Sequence, residues 1–129
     1  WAVEVGNKPT LNGKIINTSE RSKMSEAVVT IGFSKSKEAM DAGFERYKKI
    51  STSVRKSRMM GSAALALAYI ACGRLDAYIE DVISLWDIAA GKLLVEAAGG
   101  KVDLIESAVM KGKLSICSWN GNLPLDNTI

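Results

Sequence analysis

The stretch from residue 61 to residue 100 decides the fold. It consists of GSAALALAYIACG (61–73), RLDAYIED (74–81) and VISLWDIAAGKLLVEAAGG (82–100). The first part is rich in Ala and Leu, which are strong helix formers, and it carries no charged residue. It is shorter than the roughly 20 apolar residues that span a bilayer. A helix that is apolar on all sides is buried on most of them, so we predict a helix of the protein core here.

The limits of this helix and the start of a strand are marked in the sequence. Ser62 is a favourable N-cap residue, and Gly73 is favourable for ending a helix. In LDAYIE (75–80), Leu, Ala and Ile alternate with Asp, Tyr and Glu, which is the period of a strand. The predicted strand ends on two acids, Glu80 and Asp81.

A second helix is predicted for residues 87–98, with Asp87 at its start and a pair of glycines after it. Lys92 and Glu96 lie one turn apart and mark its exposed stripe. A strand that ends in Glu80 and a helix that starts with Asp87 bring two carboxylates to one edge of the sheet. Open α/β sheets bind ligands at the carboxyl ends of their strands, so this edge is the predicted site.

The rest of the chain supplies further elements of an α/β fold. AVVTIGF (27–33) is a continuous apolar run, as in strands that are buried on both faces. Ser36 is predicted to cap a following helix. The apolar residues of that helix at helical spacing are Met40, Phe44, Tyr47 and Ile50. Further strands are predicted at 53–58, 101–104 and 114–118. The order of elements predicts a layered α/β/α domain with a mostly parallel, mixed sheet.

The first residues are predicted to form a short antiparallel hairpin segment in front of this domain. Asn-Gly at residues 12–13 is the strongest short hairpin signal, and a two-stranded hairpin is marginally stable by itself. Residues 19–26 are polar and are predicted to be a linker. The chain begins with Trp1 rather than Met, so we expect a fragment, a separately produced domain or a processed product.

Composition limits the chemistry that the chain can perform. Its 129 residues suffice for one domain with a core, and its net charge of +3 includes no concentrated basic run. We therefore expect no nucleic-acid partner and no membrane partner. The chain has no His, which excludes a Ser-His-Asp triad and a Cys/His zinc site within it. Cys72 and Cys117 both lie in apolar segments, and reduced thiols there favour a cytoplasmic location.

Four motifs resemble the inositol monophosphatase family. WDIAAG (86–91) followed by EAAGG (96–100) is similar to the C-terminal motif of that family. Upstream, RMMGSAA (58–64) and GRLDAYIE (73–80) match the family in order and spacing. Trp-Asp alone would carry no information, whereas the four motifs together are specific.

The resemblance implies roles for four residues. Asp87 would be a ligand of Mg²⁺, although an isolated Asp at a helix start is usually only a cap. Glu80 would accept a hydrogen bond from a hydroxyl of the substrate, although acids at strand ends are normally just solvated. Gly61 and Ala63 would bind substrate through backbone groups at a helix N-terminus, although simple packing and capping also explain them. Trp86 is expected to be a packing residue.

The chain also departs from the family. The family's phosphatase centre needs an upstream Glu-Glu pair and an Asp-Pro-(Leu/Ile)-Asp-Gly-(Thr/Ser) motif, and neither occurs here. The two prolines, Pro9 and Pro124, do not follow an Asp. The resemblance therefore covers the C-terminal half of the family's fold. It implies that residues 1–18 belong to the first-domain sheet and residues 19–129 form the C-terminal domain. No catalytic residue is assigned, and the chain alone is expected to be inactive.

The predicted function is that of the C-terminal part of a magnesium-dependent phosphomonoesterase. Its substrate would be a polyol monophosphate such as inositol 1-phosphate, and its partners would be the N-terminal half of the parent and a second copy in a homodimer. Two alternatives stay open. The parent would act on histidinol phosphate, fructose bisphosphate or a 3′-phosphonucleotide, or the chain by itself would be a non-catalytic structural domain.

Overall fold

The structure is a computed structural model that describes residues 1–126 of the chain. Its strands are β1 (Thr10–Leu11), β2 (Lys14–Ile15), β3 (Val28–Ile31), β4 (Lys56–Arg58), β5 (Ala77–Ile83), β6 (Lys101–Glu106) and β7 (Leu114–Trp119). Its α-helices are α1 (Lys37–Ser51), α2 (Ala63–Ala71) and α3 (Leu85–Ala97), and a 3₁₀ helix covers Met24–Glu26. No helix within residues 1–126 combines the length and the apolar character needed to cross a membrane.

Five strands form one mixed sheet in the order β4-β3-β5-β7-β6. β3 pairs in parallel with both β4 and β5, whereas β7 pairs antiparallel with both β5 and β6. Strands β3, β4, β5 and β6 therefore run in one direction and β7 runs in the other. The predicted mostly parallel, mixed sheet is confirmed.

Helices cover both faces of this sheet. On one face, Ile50 of α1 packs in a cluster with Val29 and Ile79 of the sheet. On the other face, α2 and α3 share a cluster with Tyr78 and Ile116. The α/β/α layering expected from the element order is thus confirmed. β1 and β2 form a separate two-stranded antiparallel sheet, as the Asn-Gly pair predicted.

The helix limits follow from the capping residues. The Ser36 hydroxyl accepts a hydrogen bond from the Ala39 N–H at 3.2 Å, and the Ser62 hydroxyl accepts one from the Leu65 N–H at 3.3 Å. Gly73 has a φ of 73°, a left-handed conformation that suits glycine after a helix. Both predicted caps are confirmed. α3 begins earlier than predicted, because Ser84 rather than Asp87 is its N-cap residue.

Two expectations about individual elements were wrong. β5 continues past Glu80 and Asp81, because an irregularity lets it stay paired with β7 as far as its last residue. The buried residues of α1 are Ala39, Gly43 and Ile50, whereas Phe44 is 54% exposed. The reason is that the Phe33 ring fills the space where a Gly43 side chain would lie, with Cδ1 2.7 Å from an added Cβ.

The segment predicted as a linker, residues 19–26, is held to the sheet by a buried carboxylate. Asp76 is fully buried, and it accepts hydrogen bonds from the Ser19 hydroxyl, from Arg21 Nη1 at 2.9 Å and from the Val28 N–H at 2.7 Å. Asn120 donates to the Ser19 hydroxyl and to the Arg21 carbonyl. The segment is therefore part of the fold rather than a free connection.

A glycine sets the distance between α2 and α3. A Cβ added at Gly91 would lie 2.6 Å from two side-chain atoms of Leu67, so a larger residue there would push the helices apart. Because Ala63 begins α2 and Asp87 lies in the first turn of α3, this close contact also fixes the two helix starts relative to each other.

We expect Asp76→Ala to lower the free energy of unfolding by about 1–3 kcal/mol, since it leaves the Val28 N–H and the partly exposed Arg21 without the buried carboxylate that accepts from them. The control is Lys92→Ala, which removes an exposed helix pair with Glu96 and should cost at most about 0.5 kcal/mol. Urea unfolding of both variants measures the difference. Equal stabilities for the two variants would contradict a structural role for Asp76.

Candidate functional site

A cavity of about 710 Å³ opens at the carboxyl ends of β3 and β5, between the starts of α2 and α3. Its lining residues come from four segments: Thr30, Ile31, Gly32, Phe33, Met59, Met60, Gly61, Ser62, Ala63, Ala64, Tyr78, Glu80, Ile83, Trp86 and Asp87. All four residues singled out from the sequence, Gly61, Ala63, Glu80 and Asp87, are among them. The structure therefore brings these residues together, and their individual roles stay predictions.

Gly61 and Ala63 lie where the chain enters α2. Gly61 has a φ of 68°, which L side chains rarely adopt, and a Cβ added there would meet no atom within 4 Å. The glycine is thus needed for its backbone conformation rather than for space. The first N–H groups of a helix have no partners within the helix, so this entry offers hydrogen-bond donors to the cavity.

Glu80 is half-buried at the base of the cavity, next to a tyrosine. The Tyr78 hydroxyl donates a hydrogen bond to Glu80 Oε2 at 2.5 Å. Burial raises the pKa of Glu80, and the nearby charges of Asp87 and Asp81 raise it further, while the hydrogen bond from Tyr78 acts in the opposite direction. Burial and the Glu80 carboxylate raise the pKa of Tyr78, which therefore stays a neutral donor.

Gly32 allows the Glu80 side chain to occupy this position. A Cβ added at Gly32 would lie 1.8 Å from Glu80 Oε2 and 2.5 Å from its Cδ, so any side chain at this residue would displace the carboxylate from its present position. Neither Gly32 nor Tyr78 was singled out from the sequence. A glycine in the last part of the apolar run TIGF was the available signal, since glycine inside a strand pattern often marks the close approach of another group.

Asp87 and Trp86 occupy the exposed side of the cavity. Asp87 is exposed in the first turn of α3, and its N–H donates to the Ser84 carbonyl at 3.1 Å. Trp86 is 80% exposed, so the expectation that it is a packing residue was wrong. Lys113 lies 5.1 Å from the centre of the Trp86 ring and also donates to the Ser84 hydroxyl. The indole is held at the rim by this cation–π contact.

An irregularity in β5 turns the strand after Glu80. Glu80 pairs with Ile116 and Ile83 with Leu114, so three steps along β5 match two steps along β7. Ile83 therefore lines the same cavity as Glu80, although residues three positions apart in a regular strand lie on opposite faces. Asp81 lies in the irregular part, where Arg46 pairs with its carboxylate at 2.5 Å.

The Asp81 carbonyl is held as well. It accepts hydrogen bonds from the hydroxyls of Ser107, at 2.5 Å, and Ser115, at 2.9 Å. The two hydroxyls take the place of the backbone N–H that would bond to this carbonyl in a regular pair of strands. Specific side-chain contacts therefore fix the irregularity. It follows that the direction in which β5 enters α3 is also fixed.

The charge of the cavity is negative. Within residues 1–126 its lining contains two carboxylates and no Lys or Arg. That part of the chain also contains no cluster of three or more His, Cys, Asp or Glu residues able to hold a metal ion. The exposed carboxylate of Asp87 suits a hard cation such as Mg²⁺ as one oxygen ligand, but the described residues do not complete such a site.

Known proteins of one family resemble most of this chain. A sequence model of the inositol monophosphatase family matches residues 1–124. Inositol monophosphatase 2 of Solanum lycopersicum is 42% identical over 100 residues, which are 75% of this chain and 38% of that protein. Nus factor SuhB of Xylella fastidiosa is 41% identical over 101 residues, which are 78% of this chain and 32% of that protein.

A solved structure shows the same fold. The inositol monophosphatase from Anabaena (Nostoc) sp. PCC 7120 superimposes with a TM-score of 0.81 at 35% identity. The match covers 91% of this chain and 49% of that one. The chain thus spans between about a third and a half of the length of these relatives.

We expect Glu80→Gln to raise the melting temperature of the chain at neutral pH in metal-free buffer. Because the pKa of Glu80 is raised in the folded state, the stability contributed by its protonated form is complete below the ordinary value of about 4.5 and is lost as the pH rises through the raised pKa. Gln stays neutral and can still accept from Tyr78. The gain should therefore disappear at about pH 4. Glu45→Gln, at an exposed position, is the control. A lower melting temperature of Glu80→Gln at neutral pH would contradict the expected cost of the buried charge.

Proposed function

The chain belongs to the inositol monophosphatase family, and from this premise we propose that it is the C-terminal part of a magnesium-dependent phosphomonoesterase. The proposed substrate is a polyol monophosphate such as inositol 1-phosphate. The observation that carries the proposal is the convergence of Gly61, Ala63, Glu80 and Asp87 on one cavity at the carboxyl ends of two parallel strands.

The chain's own residues would recognise the alcohol part of the substrate. An ionised Glu80 carboxylate only accepts hydrogen bonds, so it suits a substrate hydroxyl. The free N–H groups at the start of α2, beside Gly61 and Ala63, suit oxygen atoms of the substrate. Phe33 and Met60 add apolar surface to the walls of the cavity, which suits the carbon skeleton of a polyol.

Asp87 would be one ligand of Mg²⁺ in the complete protein. When bound, the ion would stabilise negative charge on the phosphate and lower the pKa of a water molecule. The cavity lining described here has no cationic side chain for the phosphate. The remaining ligands and the phosphate-binding groups would come from the N-terminal half of the parent.

The finer points of the proposal concern the whole protein. Residues 1–18 would belong to the sheet of the first domain, and residues 19–129 would form the C-terminal domain. Val5 and Ile15 support this division, since they are 86% and 65% exposed and offer apolar surface to another sheet. We further propose a homodimer in the cytoplasm for the parent.

The chain alone should release no phosphate from inositol 1-phosphate in the presence of Mg²⁺, because its described residues supply one metal ligand of the proposed site. A sensitive phosphate assay with and without a chelator measures this. Asp87→Asn, purified in parallel, is the control for contaminating phosphatases, whose activity it would leave unchanged. Chelator-sensitive turnover that Asp87→Asn abolishes would mean that the chain holds a complete centre.

In the complete parent, Asp87→Asn and Glu80→Gln should have different effects. Asp87→Asn keeps the size and shape of the side chain but removes a metal-binding charge, so we expect a lower kcat and a higher Mg²⁺ requirement. Glu80→Gln should lower kcat/KM for inositol 1-phosphate about ten- to a hundred-fold, since it weakens one hydrogen bond to a charged group. Its Mg²⁺ requirement should change little.

The measurement is steady-state kinetics over a range of Mg²⁺ concentrations with four substrates: inositol 1-phosphate, histidinol phosphate, fructose 1,6-bisphosphate and a 3′-phosphonucleotide. Thermal melts check that each variant is folded. If one of the other three substrates has the highest kcat/KM, the inositol phosphate assignment is wrong while the phosphatase assignment stands. If Asp87→Asn leaves the Mg²⁺ dependence unchanged, Asp87 is only a residue of the first helical turn.

A further inference from the structure

The two oxygens of the Glu80 carboxylate have different surroundings. Oε2 accepts the hydrogen bond from the Tyr78 hydroxyl and lies against the backbone of Gly32. A side chain at residue 32 would overlap with Oε2. Among residues 1–126, the structure shows no second hydrogen bond to this carboxylate. Because Glu80 also lines the cavity, Oε1 keeps its full capacity to accept a hydrogen bond there.

Tyr78 is fixed by its packing and by the pairing of its backbone. It is 2% exposed and packs in the cluster formed by the sheet, α2 and α3. Its backbone pairs with Thr30 of β3 on one side and with Ser118 of β7 on the other. A phenol ring on a central strand has little freedom, so its hydroxyl is a fixed donor. Gly32 is fixed as well, since its N–H donates to the Ile79 carbonyl at 2.9 Å.

We propose that Tyr78 and Gly32 are positioning residues that hold Glu80 with Oε2 inward and Oε1 open to a hydroxyl group of the ligand. The recognition of a hydroxyl rests on the function proposed above, whereas the positioning of Glu80 does not. Tyr78 acts through Glu80 and needs no contact with the substrate. By holding Glu80, Tyr78 and Gly32 would favour ligands that place a hydroxyl group next to Oε1 over ligands without such a group.

The positioning is tested in the chain itself by double-mutant cycles of thermal stability. Gly32→Ala should lower the melting temperature when Glu80 is present, because the added methyl group displaces the carboxylate. In a Glu80→Ala background it should have much less effect. Likewise, Tyr78→Phe should destabilise the chain only when Glu80 is present. Tyr47→Phe is the matched control, because the Tyr47 hydroxyl contacts Ser57 and does not line the cavity. Effects of equal size in both backgrounds would overturn the proposal.

The effect on recognition is tested in the complete parent with two substrates. Tyr78→Phe should lower kcat/KM for inositol 1-phosphate about two- to ten-fold, the range of one ordinary hydrogen bond. It should leave kcat/KM for 4-nitrophenyl phosphate, which has no polyol hydroxyls, unchanged. In a Glu80→Ala background Tyr78→Phe should have no further effect, and Tyr47→Phe should have none in either background.

Different results would contradict the proposed function and the proposed positioning of Glu80. A parent that hydrolyses neither substrate contradicts the proposed function, and the stability cycles still decide whether Tyr78 and Gly32 position Glu80. A parent that hydrolyses both, with Tyr78→Phe lowering the two kcat/KM values equally, supports the phosphatase and contradicts selective positioning. A loss that persists in the Glu80→Ala background likewise shows that Tyr78 acts by another route.

Discussion

The buried carboxylate of Asp76 is the interaction on which the rest of the structure depends. It accepts from the Val28 N–H, and the Asp76 N–H donates to the Val28 carbonyl, which locks the start of β3 to the start of β5. The register that follows pairs Ile31 with Ile79 and so places the next residues, Gly32 and Glu80, side by side. A shift of one residue would send the Glu80 side chain to the opposite face of the sheet. A contact at one end of the strands thereby fixes the geometry of the cavity at the other end.

Local signals made much of this fold predictable. The serine caps and the uncharged sequence of α2 are local signals, and family motifs identified four of the residues that line the cavity. Contacts between distant segments were not predictable. Of the residues predicted at helical spacing in α1, Ile50 is buried, whereas Phe44 is exposed because Phe33 fills the space beside Gly43. Gly32 and Tyr78 were missed for the same reason, since their importance comes from where the Glu80 side chain lies.

The acidic residues that line the cavity do not maximise the stability of the fold. Glu80 is held near two other acids, in a lining without a Lys or Arg among the described residues, and its pKa is raised mainly by burial. An isolated charge in such a place costs free energy unless a ligand or partner compensates it. Perturbed pKa values are concentrated at functional sites, where stability is given up because binding requires it.

The contrast between Glu80 and its neighbour Asp81 makes this argument specific. Asp81 points to the α1 side, where Arg46 contacts both of its carboxylate oxygens, at 3.1 Å and 2.5 Å. Glu80 points to the cavity and receives a neutral hydroxyl from Tyr78 instead of a cation. Two adjacent acids of one strand therefore have opposite roles, since one is neutralised within the fold and the other keeps its charge. Only the second has accepting capacity left for a ligand. The family resemblance singled out Glu80, but the local sequence pattern could not separate the two acids because the difference lies in Arg46, a residue of another element.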